Sequence, residues 1–165
     1  MIRLLALSIV CMFLAAAFGE RAFSKDAQSL VSDDAWAPPS LDGASVGTAF
    51  VTLRNPTDTA ITLTNLASDV AQTVELHDHT MENGVMQMRR VESMVIPANS
   101  AITMKPGSYH LMLIGLKRPL HDGEVIDIMI TPQKGDTMNV NFPVSQARLL
   151  EALKSRNSSE HEHHH

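Results

Sequence analysis

Residues 72–91 read QTVELHDHTMENGVMQMRRV, two runs of strand-forming residues on either side of the dipeptide Asn83-Gly84. Asn-Gly is a favoured pair for the two-residue loop of a β-hairpin, because both loop positions need positive φ angles. A loop of that length would pair Glu82 with Val85 across the hairpin. This stretch therefore predicts an antiparallel pair of strands at the middle of the chain.

Short β-rich runs separated by turn residues continue on both sides of this hairpin. Candidate strands cover residues 48–54, 60–66, 72–79, 85–91, 101–104, 109–116, 125–131 and 137–142. Many short strands with turns at this spacing are typical of antiparallel all-β domains. We expect an all-β fold, either an antiparallel β-sandwich or a Greek-key barrel.

The N-terminal segment, residues 1–24, has the features of a secretory signal peptide. Arg3 supplies a positive charge, an apolar run follows, and Ala15-Ala16-Ala17 offers small residues for cleavage. The run is too short and wrongly flanked for a spanning helix, so we expect an exported mature chain without membrane insertion. Cleavage would also remove Cys11, the only cysteine of the sequence. We expect no lipid anchor at that cysteine.

The remaining sequence is long enough for one domain with appendages. Residues 25–34 are polar and expected to be loosely ordered, and residues 35–144 carry the candidate strands. In residues 145–165, Ser145 is a candidate N-cap for a short helix over residues 146–154, followed by a disordered His-rich tail. The tail is either a native metal-binding segment or the remnant of an affinity tag. A formal net charge of −5 and the lack of a basic patch argue against nucleic acid as a partner.

Four residues form a pattern that points to a metal: His77, Met88, His110 and Met112, spaced His-x10-Met-x21-His-x-Met. Thioether sulfur binds Cu(I) well and hard cations poorly, while imidazole suits copper, zinc, iron and nickel. Two donors of each kind favour copper.

The hairpin brings two of these residues close together. With a two-residue loop, His79 lies opposite Met88, and His77 becomes a diagonal neighbour of Met88 at roughly 7–8 Å. Residues two apart on a strand share a face, so His110 and Met112 project together. Only the tertiary fold can bring that second pair to the hairpin.

Other functions compete with a copper site. Methionine adapts to irregular gaps, so five methionines could simply fill a core, in a sandwich used for adhesion or partner binding. These methionines are Met86, Met88, Met94, Met104 and Met112. A blue-copper electron carrier needs a cysteine thiolate, which the mature chain would lack. The sequence shows no Ser-His-Asp, Glu-x-x-His or phosphate-loop pattern, so we do not expect an enzyme.

The chain resembles the PCu(A)C family of periplasmic copper chaperones over nearly all of residues 36–144. The family's His-x10-Met-x21-His-x-Met spacing is met without insertion. The matching stretches are AWA at 35–37, GTAFVTLRNP at 47–56, VELH at 74–77, MENGVMQM at 81–88, IPA at 96–98 and KPGSYHLMLIGLKRPL at 105–120.

This resemblance implies a cupredoxin-like β-sandwich in the periplasm that holds one Cu(I) through His77, Met88, His110 and Met112. Members of the family pass copper to the copper centres of cytochrome c oxidase, often alongside a Sco-type thiol protein. Some carry His- and Met-rich tails that bind Cu(II), and the tail ending at His165 looks similar. The family motif leaves out three neighbouring residues, which we treat as auxiliary candidates only: His79, Met81 and Met86.

Overall fold

The computed structural model describes residues 30–82 and 85–161, and this part of the chain contains ten strands and one helix. The elements are β1 (Val31–Trp36), β2 (Val46–Asn55), β3 (Ile61–Ala67), β4 (Ala71–Glu82), β5 (Val85–Val91), β6 (Met94–Ile96), β7 (Ser100–Thr103), β8 (His110–Leu116), β9 (Val125–Pro132), β10 (Met138–Pro143) and α1 (Gln146–His161).

The strands form two sheets with antiparallel pairing. The larger sheet has the order β1-β2-β8-β4-β5, with β7 also paired to β2, and the smaller sheet has the order β10-β9-β3-β6. The expected antiparallel β-sandwich with one C-terminal helix is confirmed. Strand β8 lies inside the larger sheet between β2 and β4, whereas β5 is an edge strand.

A single apolar core lies between the sheets, and both contribute to it. Leu53, Leu111 and Leu113 from the larger sheet are fully buried, as are Ile128 and Phe142 from the smaller one. Full burial of a side chain of this size contributes about 1.5–3 kcal/mol relative to exposure. The inward face of each strand is therefore fixed by this packing, and the opposite face of the larger sheet is left for other side chains.

Two strands of the structure were not expected from the sequence. Strand β1 begins at Val31, inside the segment expected to be loosely ordered, and pairs with β2 from Val31↔Arg54 to Trp36↔Phe50 across an irregularity. Its polar residues hide the strand pattern, and an ion pair between Asp33 and Arg54 supports the pairing. Strand β6 has only three residues, and β3 holds it in place.

Helix α1 starts where the sequence predicts and ends later. The backbone N–H of Arg148 donates to Oγ of Ser145 at 3.3 Å, and that of Gln146 donates to Oδ1 of Asp122 at 2.7 Å. The N-cap at Ser145 is therefore confirmed. The helix continues past residue 154 to His161, because no glycine or proline interrupts that stretch.

Within residues 30–82 and 85–161, no helix is long and apolar enough to cross a membrane. The expected signal peptide, residues 1–24, and the last histidines of the tail lie outside the described residues.

Buried Asn55, at the end of β2, ties two loops to the sandwich. Its side-chain nitrogen lies 2.7 Å from the carbonyl oxygen of Thr59, 3.1 Å from that of Ile96 and 3.0 Å from that of Pro97. Its side-chain oxygen accepts hydrogen bonds from the backbone and hydroxyl groups of Thr57. One amide thus satisfies several backbone groups that apolar side chains could not.

We expect Asn55→Ala to lower the free energy of unfolding by about 2–3 kcal/mol, because one buried and two partly buried carbonyl groups would lose their donor. Urea unfolding of the metal-free protein measures this. Asn141→Ala is the matched control, since exposed Asn141 bonds only to Asp127 in the described contacts, and should change stability by less than about 0.5 kcal/mol. Equal effects of the two substitutions would contradict the role of Asn55.

Candidate metal centre

The outer face of the larger sheet carries the residues singled out by the sequence. Along β8, Leu111 and Leu113 point into the core, so His110 and Met112 lie together on the opposite face. His110 is buried there and Met112 is half-buried. The apolar neighbours of Met112 in sequence therefore do not place it in the core.

Strand β4 brings His77 to the same face. Val74 and Leu76 are buried in the core, which turns His77 outward, and the pairing of β4 with β8 sets His77 directly opposite His110. The centroids of the two imidazole rings are 5.9 Å apart. The sequence could not show this meeting, because it depends on a long-range strand pairing.

Strand β5 completes the arrangement. The pairs Glu82↔Val85 and His79↔Met88 confirm the register expected of the hairpin, and Met88 lies diagonally from His77. Met88 is 46% exposed on this edge strand. The structure thus places His77, His110 and Met112 on adjoining strands of one face, with Met88 at its solvent-facing margin.

Hydrogen bonds at one nitrogen of each histidine leave the other nitrogen bare. Nε2 of His77 donates to Oε2 of Glu75 at 2.9 Å, and Nδ1 of His110 donates to the carbonyl oxygen of Ser108 at 2.9 Å. Nδ1 of His77 and Nε2 of His110 are buried and have no hydrogen-bond partner. Each bare nitrogen then carries a lone pair, which is what a metal ligand needs.

An aromatic group encloses His110 on the side away from the hairpin. The ring of Phe50 lies 6.5 Å from that of His110, and Trp36 lies 4.9 Å from Phe50. Burial lowers the pKa of His110, and His79 and His77 nearby lower it further, while the bond to Ser108 opposes the shift. The lowered pKa favours the neutral imidazole, the form that binds metal.

The methionines divide into two groups. Met94 and Met104 are buried in the core, as the structural alternative expects. Met86 and Met88 are exposed on β5, and Met112 is half-buried on the outer face, so these three do not fill the core. The interpretation of all five methionines as core residues is therefore wrong for three of them.

His79 lies closer to the centre than its auxiliary status implies. Its ring stacks on that of His110 with centroids 4.9 Å apart, and its Nδ1 lies 3.3 Å from the carbonyl oxygen of Ser108. Sequence reasoning also missed Glu75, which binds His77. The Glu-x-His spacing on one strand was the signal available, since it puts both side chains on one face.

The donors suit a soft metal. In the described ranges, no group of three or more His, Cys, Asp or Glu side chains is placed to hold a metal ion. Two bare imidazole nitrogens and two thioethers remain on one face, and such a set favours Cu(I) over hard cations.

A family model and a related protein each match most of this chain. A family model described as putative lipoprotein LpqE-like matches residues 30–144. A putative lipoprotein of Leifsonia xyli subsp. xyli is 31% identical over 121 residues, which cover 73% of this chain and 72% of that protein.

Solved structures share the fold. The solution structure of the Cu(I) form of DR1885 from Deinococcus radiodurans is 31% identical, with a TM-score of 0.57 over 76% of this chain and 86% of that one. The copper-bound PCuAC domain of PmoF2 is 18% identical, with a TM-score of 0.61 over 71% of this chain and 92% of that domain. The sandwich is therefore the fold of PCuAC domains.

We expect the metal-free protein to lose stability as the pH falls below about 6.5, the pKa of an unperturbed histidine. The pKa of His110 is lowered in the folded state by burial, so the unfolded chain binds more protons in this range. The free energy of unfolding therefore rises with pH. Urea unfolding at pH 5.5 and 7.5 measures the difference.

His110→Gln should reduce this pH dependence, because it removes the buried titrating group. His121→Gln is the control, since His121 is exposed, and it should keep the wild-type dependence. An unchanged slope in the His110 variant would show that another group causes the effect.

Proposed function

Because the chain belongs to the LpqE-like family of PCuAC-type proteins, we propose that it is an exported copper chaperone that binds one Cu(I) ion. The ligands we propose are His77, Met88, His110 and Met112. The observation that carries this proposal is the pair of buried, unpartnered imidazole nitrogens on the sheet face that also bears the two thioethers. The relative named for its Cu(I) form, at 31% identity, supports the choice of metal.

The ligand set fits transport better than electron transfer or catalysis. All four donors are neutral, so the bound ion keeps its positive charge and the reduced state is favoured. Thioethers cannot form disulfides, so the site would survive an oxidising compartment that inactivates dithiols. Protons compete for imidazole, and the lowered pKa of His110 reduces that competition near neutral pH.

The position of the site favours exchange of the ion with a partner. Met88 lies on an edge strand and is 46% exposed, so an incoming ligand can reach the metal from that side. We propose that the acceptors are the copper centres of cytochrome c oxidase, with a Sco-type thiol protein as a further partner. The resemblance to the PCu(A)C family is the basis for these partners.

The two ends of the chain complete the proposal. The signal peptide would direct the protein to the periplasm and would leave a mature chain without cysteine. The His-rich tail, if native, would bind Cu(II), because imidazoles without sulfur donors suit the harder ion.

We expect one equivalent of Cu(I) to bind a tail variant of the mature chain, which lacks residues 1–24 and with them Cys11, and in which alanine replaces His161, His163, His164 and His165. Competition against a Cu(I) chelator of known affinity measures the stoichiometry and the dissociation constant. Absence of Cu(I) binding in this variant would refute the chaperone function.

In the tail variant, joint replacement of Met88 and Met112 by leucine should weaken Cu(I) binding by more than about 100-fold, beyond the loss typical of outer partners. The melting temperature of the metal-free protein should hardly change, because neither side chain lies in the core.

Met129→Leu is the matched control, since Met129 is 47% exposed on the other sheet, and it should bind Cu(I) like the parent. A large loss of metal-free stability in the double variant would instead support a structural role for the two methionines.

A further inference from the structure

Glu75 is an acidic side chain in contact with one of the proposed donors, His77, and it acts from outside the donor set. It lies on the same face of β4 as His77 and opposite Met112 of β8. The side chains of His77 and Glu75 are only 13% and 16% exposed. A carboxylate this enclosed needs partners for both oxygens.

Both oxygens of Glu75 have such partners. Oε2 accepts the hydrogen bond from Nε2 of His77 at 2.9 Å, and Oε1 lies 3.2 Å from Nη1 of Arg90. Arg90 lies directly opposite His77 in β5, so three strand positions hold the group together. Because its oxygens are occupied in this way, Glu75 is arranged to orient His77 rather than to bind metal itself.

The hydrogen bond from Nε2 to Glu75 decides which nitrogen of His77 keeps a free lone pair. A neutral imidazole has one N–H, and here Glu75 takes it at Nε2, leaving the lone pair on Nδ1. The bare atom of His77 is indeed Nδ1. At His110 the carbonyl of Ser108 takes the proton of Nδ1, and the bare atom is Nε2.

We propose that Glu75, supported by Arg90, is a positioning residue that fixes His77 as the Nε2–H tautomer, so that Cu(I) binds Nδ1 of His77 and Nε2 of His110. The choice of metal-binding atoms in this inference rests on the proposed function, whereas the tautomer of His77 does not depend on it. The hydrogen bond from Nε2–H to the carboxylate also raises the basicity of Nδ1, which strengthens its bond to a metal ion.

The test combines nitrogen-15 NMR of the histidine rings with Cu(I) titration in the tail variant. Cu(I) is diamagnetic, so ring spectra can be recorded with and without the ion. In the metal-free protein we expect the proton of His77 on Nε2. On addition of Cu(I), Nδ1 of His77 and Nε2 of His110 should shift, while the Nε2 proton of His77 remains.

Glu75→Leu should allow the ring proton of His77 to occupy either nitrogen, so that both tautomers are populated. Cu(I) binding should weaken by about 10–100-fold. Glu75→Gln keeps an oxygen acceptor, so it should retain the Nε2–H form and lose less affinity; it also serves if the leucine variant does not fold. Glu92→Gln, at an exposed carboxylate after β5, is the control and should stay within about twofold of the parent.

Three results separate the two proposals. Copper at Nε2 of His77 would overturn the inference about Glu75, and so would a leucine variant that keeps both tautomer and affinity. If the parent binds no Cu(I), the proposed function fails, and the ring spectra of the metal-free parent and variants still decide whether Glu75 sets the tautomer.

Discussion

The pairing of β8 with β2 on one side and β4 on the other is the constraint on which the site depends. Burial of Leu111 and Leu113 between the sheets turns His110 and Met112 outward, because strand side chains alternate. A slip of one residue would reverse both faces, placing the imidazole in the core and the leucines in solvent. The hydrophobic energy that stabilises the sandwich therefore also holds the donors in register.

The two bare nitrogens each carry a free-energy cost that the rest of the fold must offset. A buried polar atom without a partner costs about 1–3 kcal/mol, and His77 and His110 each have one. The other nitrogen of each ring is well satisfied, by Glu75 and by the carbonyl of Ser108. A bare nitrogen beside a well-bonded one is expected in a ring at a ligand-binding site, because binding of the ligand would offset the cost of the unpartnered atom.

Local chemistry in the sequence accounts for much of this architecture. Asn83-Gly84 predicts the register of β4 with β5, and Ser145 predicts the start of α1, since both signals act over a few residues. Strand β1 escaped prediction because its polar residues lack a clear alternation, and pairing with β2 supplies its order.

The candidate site also combines features that the local sequence predicts with features that depend on the tertiary fold. The sequence shows the types and spacing of four candidate metal ligands, His77, Met88, His110 and Met112. The approach of the two imidazole rings depends instead on the pairing of distant strands. Which methionines enter the core was also not decided locally. Met94 lies in β6 and Met104 directly follows β7, and both are buried in sequence surroundings no more apolar than those of Met112.

With Met88 among the proposed ligands, the lifetime of the copper complex is separate from the stability of the fold. Met88 belongs to an edge strand that is paired on one side only and is exposed along most of its length. Such a strand can open briefly without disturbing the core, at a free energy well below that of global unfolding. Release of the proposed copper ion would then depend on the opening of one edge strand and not on global unfolding of the sandwich.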